Sequence, residues 1–322
     1  MDSIQLPPIA GFWRRAIAFF IDNILVSLIA LGILFAAPDF WAQHYYPGYF
    51  CGYLLLVGYF YFWERPAMNG QTPGKRLLKI WLVDAEGASP SAQKVLLRSA
   101  VFSLPISLNK FSIPSLESWV LVPVTVILFG GLLSLAYLMI FNRTDRRGWH
   151  DWLAGTYVVR QVLEKESVLP TPVLHKAVTA VIFAAALIWP LAMPKVAENS
   201  SLGELLALHN TLNEDVRFRS VVVNLPTSIK IGGEPLPASL SVSIELSGNG
   251  CGNAVCDREG ISGEVAEEVY LHYPQICTLA GLTVIVVESK RFGFVGSRDQ
   301  KYFNFTSPEL GCGAVEGSEP LQ

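Results

Sequence analysis

The sequence predicts a membrane α-helical bundle of about five transmembrane helices, followed by a C-terminal extramembrane α+β domain. Hydrophobic residues make up 51% of the 322 residues and charged residues only 16%, whereas about 25% of residues are charged in a typical soluble domain. Residues 1–194 contain 15 Lys and Arg against 11 Asp and Glu, but residues 195–322 contain 9 against 16. A basic apolar half and an acidic half indicate two physical environments.

Four apolar runs are candidate transmembrane helices, which need about 20 mostly apolar residues. They are Phe12–Ala37, Tyr49–Trp63, Trp119–Phe141 and Leu174–Met193. Between the second and third runs lies a more polar segment that contains two prolines. The distribution of Lys and Arg along the chain indicates whether this segment crosses the membrane.

The placement of Lys and Arg predicts a fifth crossing at about Ala100–Leu116. Regions 64–98 and 142–176 each contain six Lys and Arg residues, whereas residues 38–48 contain none. Because these residues concentrate in cytoplasmic loops near helix ends, both basic regions should be cytoplasmic, and an even number of crossings must separate them. We therefore expect an integral protein of a bacterial inner (plasma) membrane, with a cytoplasmic N-terminus and a periplasmic or extracellular C-terminal domain.

Four of the five cysteines lie in the acidic half, at Cys251, Cys256, Cys277 and Cys312. An even number in one region favours two disulfides, and hence an oxidising compartment. Pairs Cys251–Cys256 and Cys277–Cys312 are one of three possible pairings. A zinc site is the alternative, although the spacing of these cysteines is looser than in most zinc motifs.

An acidic residue, Asp22, lies about ten residues into the first apolar run, near the bilayer centre at 1.5 Å per residue. Such residues usually face the bundle and belong to a transport pathway or proton relay, but a hydrogen bond that only holds two helices together is equally consistent with the sequence. Arg15 shares a helix face with Asp22 two turns away. The two side chains should therefore not bond directly unless another group bridges them.

Two polar segments lie beside the membrane runs. In NGQTPGKRLLKIWLVDAEG (Asn69–Gly87) the glycine spacing does not fit a P-loop, so we expect a turn followed by a basic stretch at the inner membrane face. In DRRGWHDWLAGTYVVR (Asp145–Arg160) we expect arginines at the head groups and a His–Asp pair that titrates near neutrality or serves only structure. The expected membrane-interface residues are Lys75, Arg76, Arg146 and Arg147.

At these residues the chain resembles the RDD family of membrane proteins, which is named for one Arg and two Asp. Three blocks carry the resemblance, namely GFWRRAIAFFID, GQTPGKRLLKIWLVDAEG and DRRGWHDWLAGTYVVR, within about residues 9–160. The resemblance implies that the naming residues are Arg15, Asp22 and either Asp151 or Asp84. Together with His150, these are the candidate transport residues. The resemblance also implies transport of unidentified ligands, cation/proton exchange in some members, and assembly with larger membrane complexes in others.

The expected domains are an RDD-like transmembrane domain at 1–165, a linker and last transmembrane helix at 166–195, and an extracytoplasmic domain at 196–322. In the last, ASLSVSIELS alternates apolar and polar residues as a half-buried strand does. SVVVNLPTSIKI, GLTVIVVES and QKYFNFTS also favour strands, and SSLGELLALHNTL and GEVAEEVYLHYPQI favour helices. We recognise no catalytic motif in the sequence of this half.

The sequence therefore predicts a transporter of ions or small solutes that uses Asp22, with a non-catalytic membrane scaffold, sensor or assembly partner as the alternative. We expect no enzymatic activity, no cofactor, no metal site and no nucleic-acid binding. Expected partners are the lipid bilayer, further copies of the chain and another membrane protein. Five crossings are few for a transporter that works as a single chain, which favours a homo-oligomer.

Overall fold

Apolar helices form the N-terminal half of the protein in a computed structural model. The structure describes residues 9–108, 120–160, 171–198, 202–227, 230–231, 234–235, 238–247, 257–292 and 295–312. The helices of this half are α1 (Phe12–Ala36), α2 (Pro38–Gln43), α3 (Tyr45–Glu64), α4 (Pro73–Leu77), α5 (Ala92–Leu108), α6 (Leu121–Thr125), α7 (Gly131–Phe141), α8 (Trp149–Ala154) and α9 (Val173–Glu198). A π-helical segment, Val126–Gly130, joins α6 to α7 into one continuous helix.

Three helices among the described residues are long and apolar enough to cross a membrane, at Phe12–Ala36, Leu121–Phe141 and Val173–Ala192. They coincide with three of the predicted spans. The predicted span at Tyr49–Trp63 lies in the 20-residue α3. The doubtful segment is helical but displaced, because the 17-residue α5 begins at Ala92 and ends at Leu108, and residues 109–119 lie outside the described residues. The expected count of five crossings thus depends on α3 and α5.

Two sequence motifs meet in a small sheet that the sequence did not predict. Strand β1 (Trp81–Asp84) pairs antiparallel with β2 (Thr156–Val159). The strands lie within the second and third family-like blocks, so their pairing brings both blocks to the end of the bundle where α1 begins. Leu82 and Val158 anchor this sheet in an apolar cluster with Ala18 of α1.

The C-terminal domain is an α+β fold, as predicted. Its four-stranded sheet has the order β3-β6-β7-β8, with β3 (Phe218–Thr227), β6 (Ser239–Leu246), β7 (Gly281–Phe292) and β8 (Val295–Thr306). Only β6 and β7 are parallel to each other. Two helices, α10 (Leu202–Asn213) and α11 (Arg258–His272), contribute to one apolar core with the sheet. A short pair, β4 (Lys230–Ile231) and β5 (Glu234–Pro235), stands apart from this sheet.

One predicted disulfide is present in this domain. Cys277 is bonded to Cys312, which ties the segment after α11 to the segment after β8. Cys251 and Cys256 lie outside the described residues, so their predicted bond stays a prediction. Cys51, in α3, is a free cysteine.

The ends of β7 and β8 contact the membrane half at the far end of α1. Phe292 belongs to an apolar cluster with Ala30 and Leu34 of α1. The Arg291 side chain donates a hydrogen bond of 2.7 Å to the hydroxyl of Tyr49. Gly48 allows this approach, because a Cβ there would lie 2.6 Å from the carbonyl oxygen of Arg291.

Candidate functional site

Five charged side chains form a continuous buried network at the end of the bundle where α1 begins. Arg15 Nη2 lies 2.7 Å from Oδ2 of Asp151, and Arg98 Nε lies 2.9 Å from Oδ1 of the same carboxylate. Arg98 Nη1 also lies 2.6 Å from Oε2 of Glu64, whose Oε1 accepts a hydrogen bond from Lys75. The network therefore joins α1, α3, α4, α5 and α8. Since isolated buried charges cost several kcal/mol each, these pairings hold all five elements in register.

Asp151 is the centre of this network because of where α8 begins. It lies in the first turn of α8, and the backbone N–H of Gly148 donates to its Oδ2 at 3.2 Å. A carboxylate at a helix N-terminus is stabilised by the free N–H groups and the helix dipole. The Thr156 hydroxyl adds a hydrogen bond of 3.3 Å to Oδ1. The DRRGWHD block thus forms a carboxylate site rather than a simple helix exit.

The His150–Asp151 pair does not titrate near neutrality, which favours the structural one of the two interpretations that the sequence left open. His150 Nε2 lies 3.4 Å from Oδ1 of Asp151, but burial lowers the pKa of His150 to about 3. Burial alone would raise the pKa of Asp151, yet the positive charges of Arg98 and Arg15 outweigh it and hold that pKa well below its usual range. The pair therefore consists of a neutral imidazole and a carboxylate.

Asp22 has a different set of partners. Its carboxylate accepts hydrogen bonds from the hydroxyl of Tyr59 at 3.0 Å, from the hydroxyl of Thr72, and from the backbone N–H of Gly74 at 2.8 Å. Thr72 also caps α4, since its side chain accepts from the N–H of Lys75. Asp22 therefore fastens the GQTPGK segment to the middle of α1, and the expectation that it belongs to a transport pathway stays a prediction.

Gly74 makes this attachment possible. A Cβ at this position would lie 2.1 Å from the carbonyl oxygen of Ala18 and 2.9 Å from Oδ2 of Asp22. Only glycine lets the backbone of α4 come this close to α1. As a consequence Lys75 is buried and paired with Glu64, so it does not lie on the exposed membrane-facing surface that the sequence predicted for it.

A cavity of about 480 Å³ lies between the charged network and the apolar helices. Its polar lining residues are Arg15, Asp22, Asn23, Glu64, Lys75, Arg98 and His150. Its apolar lining comes mainly from aromatic and aliphatic side chains of α1, α5 and α7, including Phe19, Phe102, Ile106 and Met139. This volume lies in the usual range for small-molecule sites, about 300–1,000 Å³. A lining of many apolar groups with a few polar ones is also typical of such sites.

The charges around the cavity balance, but their exposure does not. Arg15, Lys75 and Arg98 face three carboxylates, those of Asp22, Glu64 and Asp151. The side chains of Arg15 and Lys75 each keep 10% of their surface exposed, whereas those of Glu64 and Asp151 keep 1% and 0%. The charge that reaches the cavity is therefore mainly positive. Among the described residues, no group of His, Cys, Asp and Glu side chains could hold a metal ion.

The other predicted site residues lie outside this network or support it through the backbone. The Asp84 carboxylate accepts from the N–H groups of Glu86 and Ala88, so it shapes the turn after β1. Arg76 is exposed, and the carbonyl of Arg146 accepts a hydrogen bond from Arg15. Arg147 donates to the carbonyl of Thr156 at 3.1 Å and the hydroxyl of Tyr157 at 3.0 Å. Of the two candidates for the second naming Asp, only Asp151 pairs with Arg15.

Two members of the network, Glu64 and Arg98, were not predicted from the sequence. Glu64 is the last residue of α3 and is fully buried, and Arg98 is 4% exposed. Both had a signal, because each is a charged residue at the edge of an apolar segment, where charges are costly unless paired. The sequence gives no indication that they are each other's partners.

Comparison with known proteins agrees with the placement of these residues. The model of the RDD family matches residues 9–155, which include Arg15, Asp22, Asp84 and Asp151 and every charged residue of the network. No curated protein and no solved structure matches the chain. Residues 9–155, slightly less than half of the 322 residues, therefore match the RDD family, and they contain apolar helices of membrane-spanning length.

Proposed function

We propose that this protein is a membrane transporter of ions or small solutes, and that the cavity between α1, α5 and α7 is its solute-binding site. The observation that carries the proposal is the position of charged side chains along one end of an otherwise apolar cavity. Charged residues in membrane helices are costly, and where they occur they usually face a cavity and belong to a solute or ion pathway. A purely structural network would not need a space of ligand size beside it.

The proposal assigns Asp22 a positioning role. Its carboxylate already accepts three hydrogen bonds, from Tyr59, Thr72 and Gly74, which supports anchoring of α4 more than free exchange of protons. The groups able to respond to a solute are Lys75 and Arg98, because both share the carboxylate of Glu64. A solute that draws either cation away would loosen the contact between α3, α4 and α5.

We further infer five crossings, an inner-membrane location and a cytoplasmic N-terminus. This topology puts residues 38–48 and the C-terminal domain on the same external side. The contacts of Lys290 with Asp39, at 3.0 Å, and of Arg291 with Tyr49 support that arrangement. Reporter fusions after residues 42, 86 and 198 would test it, because the topology requires external, cytoplasmic and external locations in that order.

A transport assay with a blocked cavity tests the main proposal. Purified protein in proteoliposomes is given Na⁺, K⁺ and pH gradients while an internal dye reports pH. Wild type should exchange protons for a cation. Ala136 lines the cavity, so the large side chain of Ala136→Trp should fill it and remove most of the exchange. Leu133→Trp is the matched control, since Leu133 is 57% exposed on the same helix and does not line the cavity.

The outcomes separate three conclusions. Loss of exchange in Ala136→Trp alone supports transport through the cavity. Equal exchange in both variants would move the pathway elsewhere in the molecule. No exchange by folded wild type under any gradient would refute ion-coupled transport and favour the alternative below.

The alternative is a non-catalytic scaffold or sensor, which the docking of β7 and β8 on the bundle favours. Phe292 is only 3% exposed and lies among side chains of α1, so an event in the external domain has a direct route to the membrane helices. This reading predicts a protein partner at a fixed ratio when the complex is purified in mild detergent. Recovery of the bare chain together with exchange that Ala136→Trp blocks would refute it.

A further inference from the structure

We propose that the ligand of the cavity is an anionic amphiphile, with a carboxylate or phosphate head group at Lys75 and Arg98 and an apolar chain along α5 and α7. This inference rests on the proposal that the cavity is the solute-binding site, and it names the class of that solute. It follows from the distribution of charge, from the apolar lining and from the position of the opening.

Lys75 and Arg98 offer free N–H donors at the polar end of the cavity. Lys75 donates a hydrogen bond to Glu64. Arg98 donates from Nε to Asp151 and from Nη1 to Glu64. Among the described residues, nothing accepts from the second terminal nitrogen of Arg98, and Lys75 has one acceptor for three N–H groups. The carboxylate oxygens of Glu64 are each occupied by a cation. An added head group would therefore find free N–H donors, which bind carboxylate and phosphate oxygens strongly.

The rest of the cavity favours an apolar chain. Thirteen of its lining residues are apolar, and they include Phe19, Phe60, Phe102, Leu135 and Met139. A small hydrophilic anion would leave this surface without a partner, whereas a hydrocarbon chain would cover it.

We infer from Leu132 that the cavity opens toward the lipid phase. Leu132 lines it and is 42% exposed, and it lies within Leu121–Phe141, a helix able to cross a membrane. Leu132 is nine residues from the end of this helix, or about 13 Å along its axis, which is the depth of acyl chains. Arg15 and Arg98 share the carboxylate of Asp151 at the end of the bundle where α1 begins. The polarity of the cavity thus runs in the same direction as that of a lipid in the adjacent leaflet.

Photolabelling in liposomes tests the inference. The full-length protein in zwitterionic phosphatidylcholine vesicles is exposed to an oleate that carries a photoreactive group in its chain, and labelled peptides are identified by mass spectrometry. The label should appear on the peptide that contains Phe102 and Ile106. Excess oleate should reduce it by at least about tenfold, the change expected when a charge-assisted contact decides binding. Oleyl alcohol, with the same chain and no charge, should compete far less.

Two competitors and three variants complete the test. Oleoyl lysophosphatidate and oleate differ in head group, so their relative competition tells a phosphate-bearing lipid from a free fatty acid. Ala136→Trp should abolish labelling and Leu133→Trp should retain it. Lys75→Gln should reduce competition by oleate and leave competition by oleyl alcohol unchanged. A monodisperse peak in gel filtration shows that each variant is folded, and Ala16→Phe, on the opposite wall, replaces Ala136→Trp if that variant misfolds.

The results distinguish the inference from the transport proposal. Equal competition by oleate and oleyl alcohol, or labelling that Ala136→Trp does not change, would overturn the anionic amphiphile. Charge-dependent labelling without exchange in proteoliposomes would keep the ligand site and refute ion-coupled transport. Exchange that Ala136→Trp blocks, without charge-dependent labelling, would keep transport and refute this class of ligand.

Discussion

The guanidinium of Arg15 lies 2.7 Å from Oδ2 of Asp151, and 136 positions separate the two residues in the chain. This ion pair joins the first residues of α1 to the N-terminus of α8. Arg98 reaches the same carboxylate from α5. The contact explains why blocks at opposite ends of the family domain belong together, since each supplies half of one buried charge pair.

Removing the charge of Asp151 should destabilise the protein strongly. Asp151→Asn leaves Arg15 and Arg98 with one carboxylate fewer, and breaking a buried pair costs about 3–5 kcal/mol. Melting in detergent, followed by the loss of monodisperse protein in gel filtration, measures the change. Glu86→Gln is the control, because Glu86 is exposed and should change stability by less than about 0.5 kcal/mol. Equal melting of the two variants would contradict the assigned network.

Gly74→Ala should detach α4 from α1. The new Cβ would lie 2.1 Å from the carbonyl oxygen of Ala18, so the N–H of Gly74 cannot keep its bond to Asp22. We expect a loss of about 2 kcal/mol or more, from steric displacement and a lost charge-assisted hydrogen bond. Gly32→Ala, in α1 with nothing within 4 Å of its Cβ, should be neutral or stabilising. Melting temperatures of the two variants compare these effects, and a tolerated Gly74→Ala would refute the close approach.

Stability should fall as pH is lowered below about 6.5, partly through His150. Its pKa is about 3 in the folded protein because of burial, against about 6.5 in an unfolded chain. The unfolded state therefore binds more protons between these values, and acidification favours it by up to about 1.4 kcal/mol per pH unit. His150→Gln should reduce the pH dependence of melting between pH 7.5 and 5, whereas His44→Gln, at an exposed position, should leave it unchanged. The same slope in all three proteins would contradict the prediction.

Loss of the Cys277–Cys312 bond should weaken the C-terminal domain. The bond closes a loop across 35 positions, and removing a disulfide from a small domain typically costs about 2–5 kcal/mol. Cys277→Ser should make residues 202–312 more sensitive to a protease while the membrane helices stay resistant. Cys51→Ser controls for loss of a thiol outside the domain. An unchanged cleavage rate of Cys277→Ser would show that the bond adds little.

Several features were determined by the sequence alone. Apolar runs identify membrane helices, because the length of such a run depends only on the thickness of the bilayer. The alternation in ASLSVSIELS and the helical period before Tyr273 predicted strands and helices of the C-terminal domain, since one buried face imposes its period on the residues. The basic segments and the cysteines of the acidic half likewise follow from local composition.

Tertiary structure decided the partners. Asp22 and Lys75 looked like a pathway carboxylate and an interfacial cation, because sequence gives depth and charge but not the neighbour across a helix interface. Folding brings Thr72, Gly74 and Tyr59 to Asp22, and Glu64 to Lys75. The same packing pairs β1 with β2 and opens the cavity between α1 and α7. A buried charge requires a partner, but only the packing of helices far apart in the chain determines which residue supplies it.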